Sequence, residues 1–170
     1  MIVLQDIITV KCASKSDISA ILGMVQGSFF GNEGDKTLLK VTHEELAKRI
    51  AGGNFFLAYV GNDIAGCDSL ELYDGLAEKR TTYVKPQFEG IGVGKSLDAK
   101  IEERAKELGY HEAYALVNHN ALPKFLAWRY MVTGTPPKKL ENYCSGCSLY
   151  YRNTPNNENL CKEIAVVKNI

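Results

Sequence analysis

The densest chemical signal in the chain is the run Glu89-Gly90-Ile91-Gly92-Val93-Gly94-Lys95-Ser96. Glycines let a backbone come close to a ligand, and the first amides of a helix that follows point outward without partners. With the helix dipole they make an anion site suited to a phosphate or pyrophosphate. A plain strand-to-helix turn is the alternative, and the three alternating glycines argue against it. Two nucleotide-binding patterns fit poorly. A P-loop requires Gly-x-x-x-x-Gly-Lys-Ser/Thr. Gly94-Lys95-Ser96 satisfies its end, but Glu89 stands where its first Gly belongs and would repel a triphosphate. The dinucleotide fingerprint Gly-x-Gly-x-x-Gly meets only Gly-x-Gly-x-Gly here.

A second constellation is Cys144-Ser145-Gly146-Cys147 with Cys161. Thiolates at this spacing chelate zinc, with a fourth ligand to come from a His, Cys67, Cys12 or solvent. A redox Cys-x-x-Cys opens a helix in a βαβ setting, whereas this one lies in a Tyr-, Asn- and Ser-rich stretch. Loop thiols without a shared role are the competing reading. Arg80 lies two residues beyond Glu78 and so on the same strand face. It can clamp a substrate carboxylate in a bidentate pair, or it can make a surface salt bridge. His43, His111 and His119 are scattered and read as structural or solvent-facing.

The elements around these residues follow from hydrophobic period and turn chemistry. A strand is expected at Ile7 to Val10, then a helix start at Ser14 to Asp17 with Ile18, Ile21, Leu22 and Val25 at helical spacing. Thr42-His43-Glu44-Glu45 is a capping box, and Gly52-Gly53 stops the helix it opens. Phe55 to Val60 and Ile64 to Leu72 flank Gly61-Asn62-Asp63 and read as an antiparallel hairpin. Ala77 to Lys85 is a further strand. An amphipathic helix follows from about Gly94 to Leu108, with Leu97, Ile101, Ala105 and Leu108 inward and Asp98 among its polar residues; Gly109 caps it. Ala113 to Val117 is another strand and Asn118 to Trp128 a short helix. Met131 to Thr133 and Ile164 to Val167 are the final strands. Strands bracketing helices around a hairpin predict an α/β (α+β) fold, with a mixed sheet covered by helices.

Bulk properties narrow the function. A chain of 170 residues is expected to form a single domain. Lys plus Arg number 20 against 20 Asp plus Glu, so net charge is zero and a sequence-independent hold on nucleic acid is not expected. No apolar run approaches the roughly 20 residues that span a bilayer, so no membrane partner is expected. The N-terminal Met1 to Asp6 does not read as a signal peptide. An odd count of 5 cysteines suits a reducing cytoplasm better than a secreted disulfide framework.

The stretch Ala77 to Gly94 resembles the acetyl-coenzyme A motif of the GNAT (Gcn5-related) N-acetyltransferases: a strand, a Pro, then Arg/Gln-x-x-Gly-x-Gly/Ala opening a helix. The likeness extends to the preceding hairpin, the following helix and Ala121 to Gly134, and so covers most of the chain. It implies a GNAT-like, mostly antiparallel central sheet flanked by helices over residues 1–170, with a Cys-containing loop at about 141–162. It implies acetyl-CoA as cosubstrate, its pyrophosphate on the amides of Gly90, Ile91, Gly92, Val93, Gly94 and Lys95 after Glu89. Pantetheine would run along Tyr83 and Val84, with Phe125 packing against it or filling the core. Three positions depart from the family pattern: Glu89 replaces Arg/Gln, Phe125 replaces the Tyr that protonates the thiolate, and Arg129-Tyr130 replaces Gly-Phe.

The same resemblance aligns Glu78 with an acidic strand residue. An ammonium must lose a proton before its nitrogen attacks a thioester, and a carboxylate is a suitable base; a solvated or salt-bridged surface Glu is the alternative. The oxyanion would meet a strand amide near Val84. Tyr130 and Tyr114 are acid candidates by type. Pro137 to Leu140, the Cys-x-x-Cys and Leu160 to Val167 resemble the C-terminus of short stand-alone N-acetylglutamate synthase-like members, though the insert Tyr150 to Asn159 lengthens the spacing. An acidic amino acid as acceptor would give Arg80 its role. The expectation is therefore an N-acetyltransferase acting on a primary amine of a small molecule, an amino acid such as glutamate. A non-catalytic acyl-CoA-binding domain and an enzyme for protein or peptide amines are the alternatives, and the expectation leaves room for a homodimer.

Overall fold

The computed structural model describes residues 8–26, 41–73, 75–133 and 163–170. Cys144, Cys147, Cys161 and the stretch from Gly27 to Leu39 lie outside the described residues. The strands are β1 Ile8–Cys12, β2 Phe55–Val60, β3 Asp63–Tyr73, β4 Leu76–Val84, β5 Glu112–Val117, β6 Met131–Val132 and β7 Ile164–Asn169. The α-helices are α1 Ile18–Val25, α2 His43–Ala51, α3 Val93–Glu107 and α4 Leu122–Ala127. Among the described residues the strands form a seven-stranded sheet in the order β1-β2-β3-β4-β5-β7-β6. The pairs β1–β2, β2–β3, β5–β7 and β6–β7 are antiparallel. This is the mixed, mostly antiparallel sheet with flanking helices that the sequence predicts. Among the described residues no helix is long and apolar enough to cross a membrane.

Two compact units are present, Met1–Glu71 with Lys79–Gly109, and Leu72–Glu78 with Tyr110–Ile170. In the first, the turn between β2 and β3 has Gly61 at φ 60°, a conformation that glycine adopts without a steric cost. Ile18, Ile21 and Val25 of α1 and Leu46 and Ile50 of α2 pack with Phe55, Leu57 and Cys67. The predicted capping box opens α2: Thr42 Oγ1 accepts the Glu45 amide at 3.2 Å, and the Glu45 carboxylate accepts the Thr42 amide at 2.8 Å. α3 buries Leu97, Ile101 and Ala105, as its period predicts, and also Val93 and Asp98, whereas Leu108, expected inward, is 37% exposed because the helix has ended there and it stands at the C-cap. The expectation of a polar face for Asp98 is corrected. It is 2% exposed because a buried cation meets it there.

In the second unit Ala115, Val117, Phe125, Tyr130 and Val166 form a core. α4 is shorter than Asn118 to Trp128. The Asn118 side chain accepts the Ala121 amide at 2.7 Å, a local turn that competes with helix. Arg129 at φ 71° turns the chain beyond it, and the Tyr130 amide reaches back to Phe125 O at 3.0 Å.

β3 and β4 approach closely at Gly66. A Cβ there would lie 2.5 Å from the Tyr83 carbonyl oxygen and 3.2 Å from Val84 Cα, both backbone atoms that cannot swing away. Gly66→Ala is therefore expected to destabilise the fold by about 2 kcal/mol or more. Urea unfolding measures this, and a midpoint equal to wild type would show that the two strands have slack to part.

Candidate active site

The Gly-rich turn is built by its glycines. Lys85 is extended and Pro86–Phe88 make a short 3-10 turn. Gly90 and Gly92 then take φ 79° and φ 103°, values in the left-handed region. Gly92 is the N-cap of α3 and no side chain caps the helix; its carbonyl accepts the Ser96 amide at 3.0 Å. The first-turn amides of Val93, Gly94 and Lys95 thus meet no capping side chain and stay available to an anion. Glu89, Gly90 and Lys95 are exposed, Ile91, Gly92 and Gly94 half-buried, and Val93 is buried beneath the turn.

Glu78 is a buried residue of β4, 1% exposed, and not the solvated surface carboxylate that was the alternative expectation. The Tyr73 hydroxyl donates to its Oε2 at 3.0 Å, and the Tyr110 hydroxyl donates to the Tyr73 carbonyl at 3.1 Å. Tyr73 and Tyr110 were not singled out by sequence, since a Tyr at a strand end is an ordinary packing residue.

Beyond Glu78, β4 departs from simple alternation. Lys79 faces α3, where its Nζ lies 2.6 Å from Asp98 Oδ1 and 2.9 Å from Asp68 Oδ2. Arg80 is half-buried and its charge acts on Glu45 of α2. Thr81 should return to the face of Lys79, yet its hydroxyl accepts from Arg49 of α2 at 3.1 Å. Two consecutive residues on one face constitute a β-bulge. Thr81 has φ 55°, an outlier for a β-branched residue. After the bulge, Thr82 takes the α3 face and donates to Asp68 Oδ1 at 3.0 Å. Tyr83 packs against the core that α1 and α2 cover. The plain strand expected at Ala77 to Lys85 is corrected to this bulged one.

The electrostatics centre on Asp68, Lys79 and Asp98, whose side chains are 0–4% exposed. Two carboxylates around one ammonium leave a net negative charge in the interior. Burial pushes the Asp68 carboxyl up to about 6 and Asp98 adds to that, against the opposing pull of Lys79 and the Thr82 hydroxyl. Burial also pushes Glu45 up, but hydrogen bonds from the Thr42 amide and hydroxyl, with the charges of Arg49 and Arg80, bring it below its ordinary value.

The remaining sequence candidates are dispersed. Phe125 is 5% exposed in the second unit's core, its ring centroid 5.2 Å from that of Trp128 and 5.0 Å from that of Tyr130. Tyr130 is buried there. Tyr114 donates to Glu112 at 2.8 Å, and burial with that bond pushes its phenol up to about 12. His43, His111 and His119 are exposed. Val84 is half-buried at the end of β4. The zinc expectation rests on Cys144, Cys147 and Cys161, which lie outside the described residues; among the described ones no group of three His, Cys, Asp or Glu could hold a metal.

The model of the acetyltransferase (GNAT) family matches residues 19–125. The chain belongs to this family and is an N-acetyltransferase. An uncharacterized N-acetyltransferase of Chlorobaculum tepidum is 28% identical over 162 residues, 95% of this chain and 96% of that protein. A Mycobacterium tuberculosis protein solved in complex with CoA matches with a TM-score of 0.73 at 20% identity, over 95% of this chain and 99% of that one. The N-acetylglutamate synthase of Neisseria gonorrhoeae, solved with coenzyme A and N-acetyl-glutamate, matches with a TM-score of 0.71 at 20% identity. This chain is covered to 95%, the synthase to 35%. At these identities the two structures share the fold with this chain.

The raised Asp68 carboxyl has a consequence for pH. Its ordinary value is 3.8, so between 3.8 and about 6 the folded chain holds a proton that the unfolded chain has released. The stability this group contributes is full below that window and is lost as pH rises through about 6. Asp68→Asn is expected to flatten the fall in unfolding free energy between about pH 4 and 6. Urea titrations at several pH values measure it, and equal slopes in variant and wild type would place the titrating group elsewhere.

Proposed function

We propose that this N-acetyltransferase takes acetyl-CoA as cosubstrate and acetylates the primary amine of a small molecule, an amino acid such as glutamate. The observation that carries the reading is Glu78, a carboxylate buried on β4 and held by the Tyr73 hydroxyl. A carboxylate fixed in place by such a bond is a suitable base for an ammonium proton. The amides of Gly90 to Lys95 would hold the pyrophosphate, for which the uncapped start of α3 is the support. Tyr83 and Val84 would line the pantetheine. CoA in the Mycobacterium tuberculosis and Neisseria gonorrhoeae structures supports the cosubstrate, and N-acetyl-glutamate in the latter supports the acceptor class.

In this reading Glu78 removes a proton from the acceptor ammonium, and the freed nitrogen attacks the thioester carbon. The tetrahedral oxyanion takes a hydrogen bond from a strand amide near Val84. As the carbon–sulfur bond breaks, the thiolate leaves with the electron pair, and the nitrogen's second proton passes to water. A thiol has a pKa of about 8.5, so water suffices as proton donor and no Tyr is required at Phe125. Arg80, two residues along β4, would pair with the acceptor's carboxylate.

Calorimetry with acetyl-CoA, with ATP and NAD as controls, tests the cosubstrate, and an amine panel beginning with glutamate tests the acceptor. Glu78→Gln is expected to lower turnover by about 100-fold or more while acetyl-CoA affinity stays within about threefold of wild type. Undiminished turnover would remove Glu78 from the mechanism. Absence of acetyl-CoA binding by the wild type would sink the assignment of the Gly-rich turn.

A further inference from the structure

We propose that Arg49 is a positioning residue for acetyl transfer, acting through Thr81 to hold the bulge that sets how β4 meets acetyl-CoA. The strained backbone at Thr81 is fastened from several sides. Arg49 Nη1 donates to the Thr81 hydroxyl at 3.1 Å in a buried bond. The Cys67 thiol donates to the Thr81 carbonyl at 3.4 Å, and the Ser69 hydroxyl donates to the Arg80 carbonyl at 2.8 Å. Arg49 is itself held by Glu71 of β3, Nε to Oε2 at 2.7 Å, and is only 4% exposed. A guanidinium offers donors in a fixed fork, so one side chain can bind Glu71 and Thr81 together; a lysine ammonium is a point charge without that fork.

Thr81 and Thr82 carry none of the residues that favour a positive φ. The bulge therefore depends on these side-chain bonds, because an unsupported β-branched residue relaxes out of the left-handed region. Relaxation would restore alternation. Thr82 would lose the face it shares with Lys79 and Asp68, and Tyr83 and Val84 would lose their placement opposite Gly66. Those two residues line the acyl-pantetheine in the function proposed above, and Arg49's role rests on that reading. Strain at this position is thus maintained by a buried side chain from α2 that is itself anchored on β3.

The test uses glycine, which adopts positive φ without strain and so needs no clamp. Calorimetry on the whole chain measures acetyl-CoA affinity for wild type, Arg49→Met, Arg49→Lys, Thr81→Gly and the double variant Arg49→Met/Thr81→Gly. Arg49→Met is expected to weaken acetyl-CoA binding roughly tenfold, in line with loss of a charged hydrogen bond. Arg49→Lys should keep melting near wild type through Glu71, yet bind acetyl-CoA as poorly as Arg49→Met. Thr81→Gly should bind within about threefold of wild type, and the double variant should recover to that level. A loss that persists in the double variant would overturn the proposal, since Arg49 would then act on the ligand or on α2 alone. Unchanged affinity in Arg49→Met would overturn it as well. Failure of the wild type to bind acetyl-CoA defeats the cosubstrate reading and this role with it, whereas wild-type binding without rescue defeats Arg49 alone.

Discussion

The ammonium of Lys79 fixes how β3, β4 and α3 fit together. A charge taken out of water is costly unless it is paired at short range, and here it meets Asp68 and Asp98 at 2.9 and 2.6 Å. The pairing demands that one β-strand residue, one neighbouring strand residue and one helix residue converge on a single point. It thereby sets the register of β4 against β3 and the rotation of α3 about its axis. The Gly-rich turn is the start of that same helix, so the orientation of its amides follows from a contact five residues into α3.

The bulge reconciles this ion cluster with the core on the opposite face. Strict alternation would have placed Thr81 with Lys79, and Arg80 with Thr82. With the extra residue, Thr82 joins Lys79 beside Asp68, while Tyr83 turns toward the core that α1 and α2 cover. Ser69 and Cys67 on β3 and Arg49 on α2 supply the hydrogen bonds that hold the displaced peptide groups. The interior is therefore polar on both faces of one short stretch of β4. Position 66 has to be glycine because a Cβ there would run into the Tyr83 carbonyl just beyond the bulge.

Much of this architecture is legible from local sequence because local chemistry determines it. Gly61-Asn62-Asp63 marks the hairpin, the Thr42 to Glu45 capping box marks the start of α2, and Gly90 and Gly92 mark the turn before α3. Glu78 could be found by the family resemblance, but its burial and its bond from Tyr73 could not, since strand alternation does not say which face is covered. The bulge had no sequence signal: neither Thr81 nor its neighbours is Gly, Asn or Pro, and its supporting bonds span 11 to 32 residues of chain. Asp98 did carry a signal. It precedes Ile101 and Ala105 by three and seven residues, the spacing of a buried stripe, yet a lone carboxylate on such a stripe reads as polar until its cation is known.

Cys67 shows what a satisfied interior does to reactivity. The thiolate, not the thiol, reacts with alkylating agents and oxidants. Cys67 is fully buried and donates its proton to the Thr81 carbonyl, and burial with the charge of Asp68 pushes its pKa well up. The sulfur is chemically silent while β3 and β4 stay together and becomes reactive only when they separate. Its modification rate is a clock for opening at the bulge, and the exposed thiol of Cys12 supplies the unprotected reference against which that clock runs.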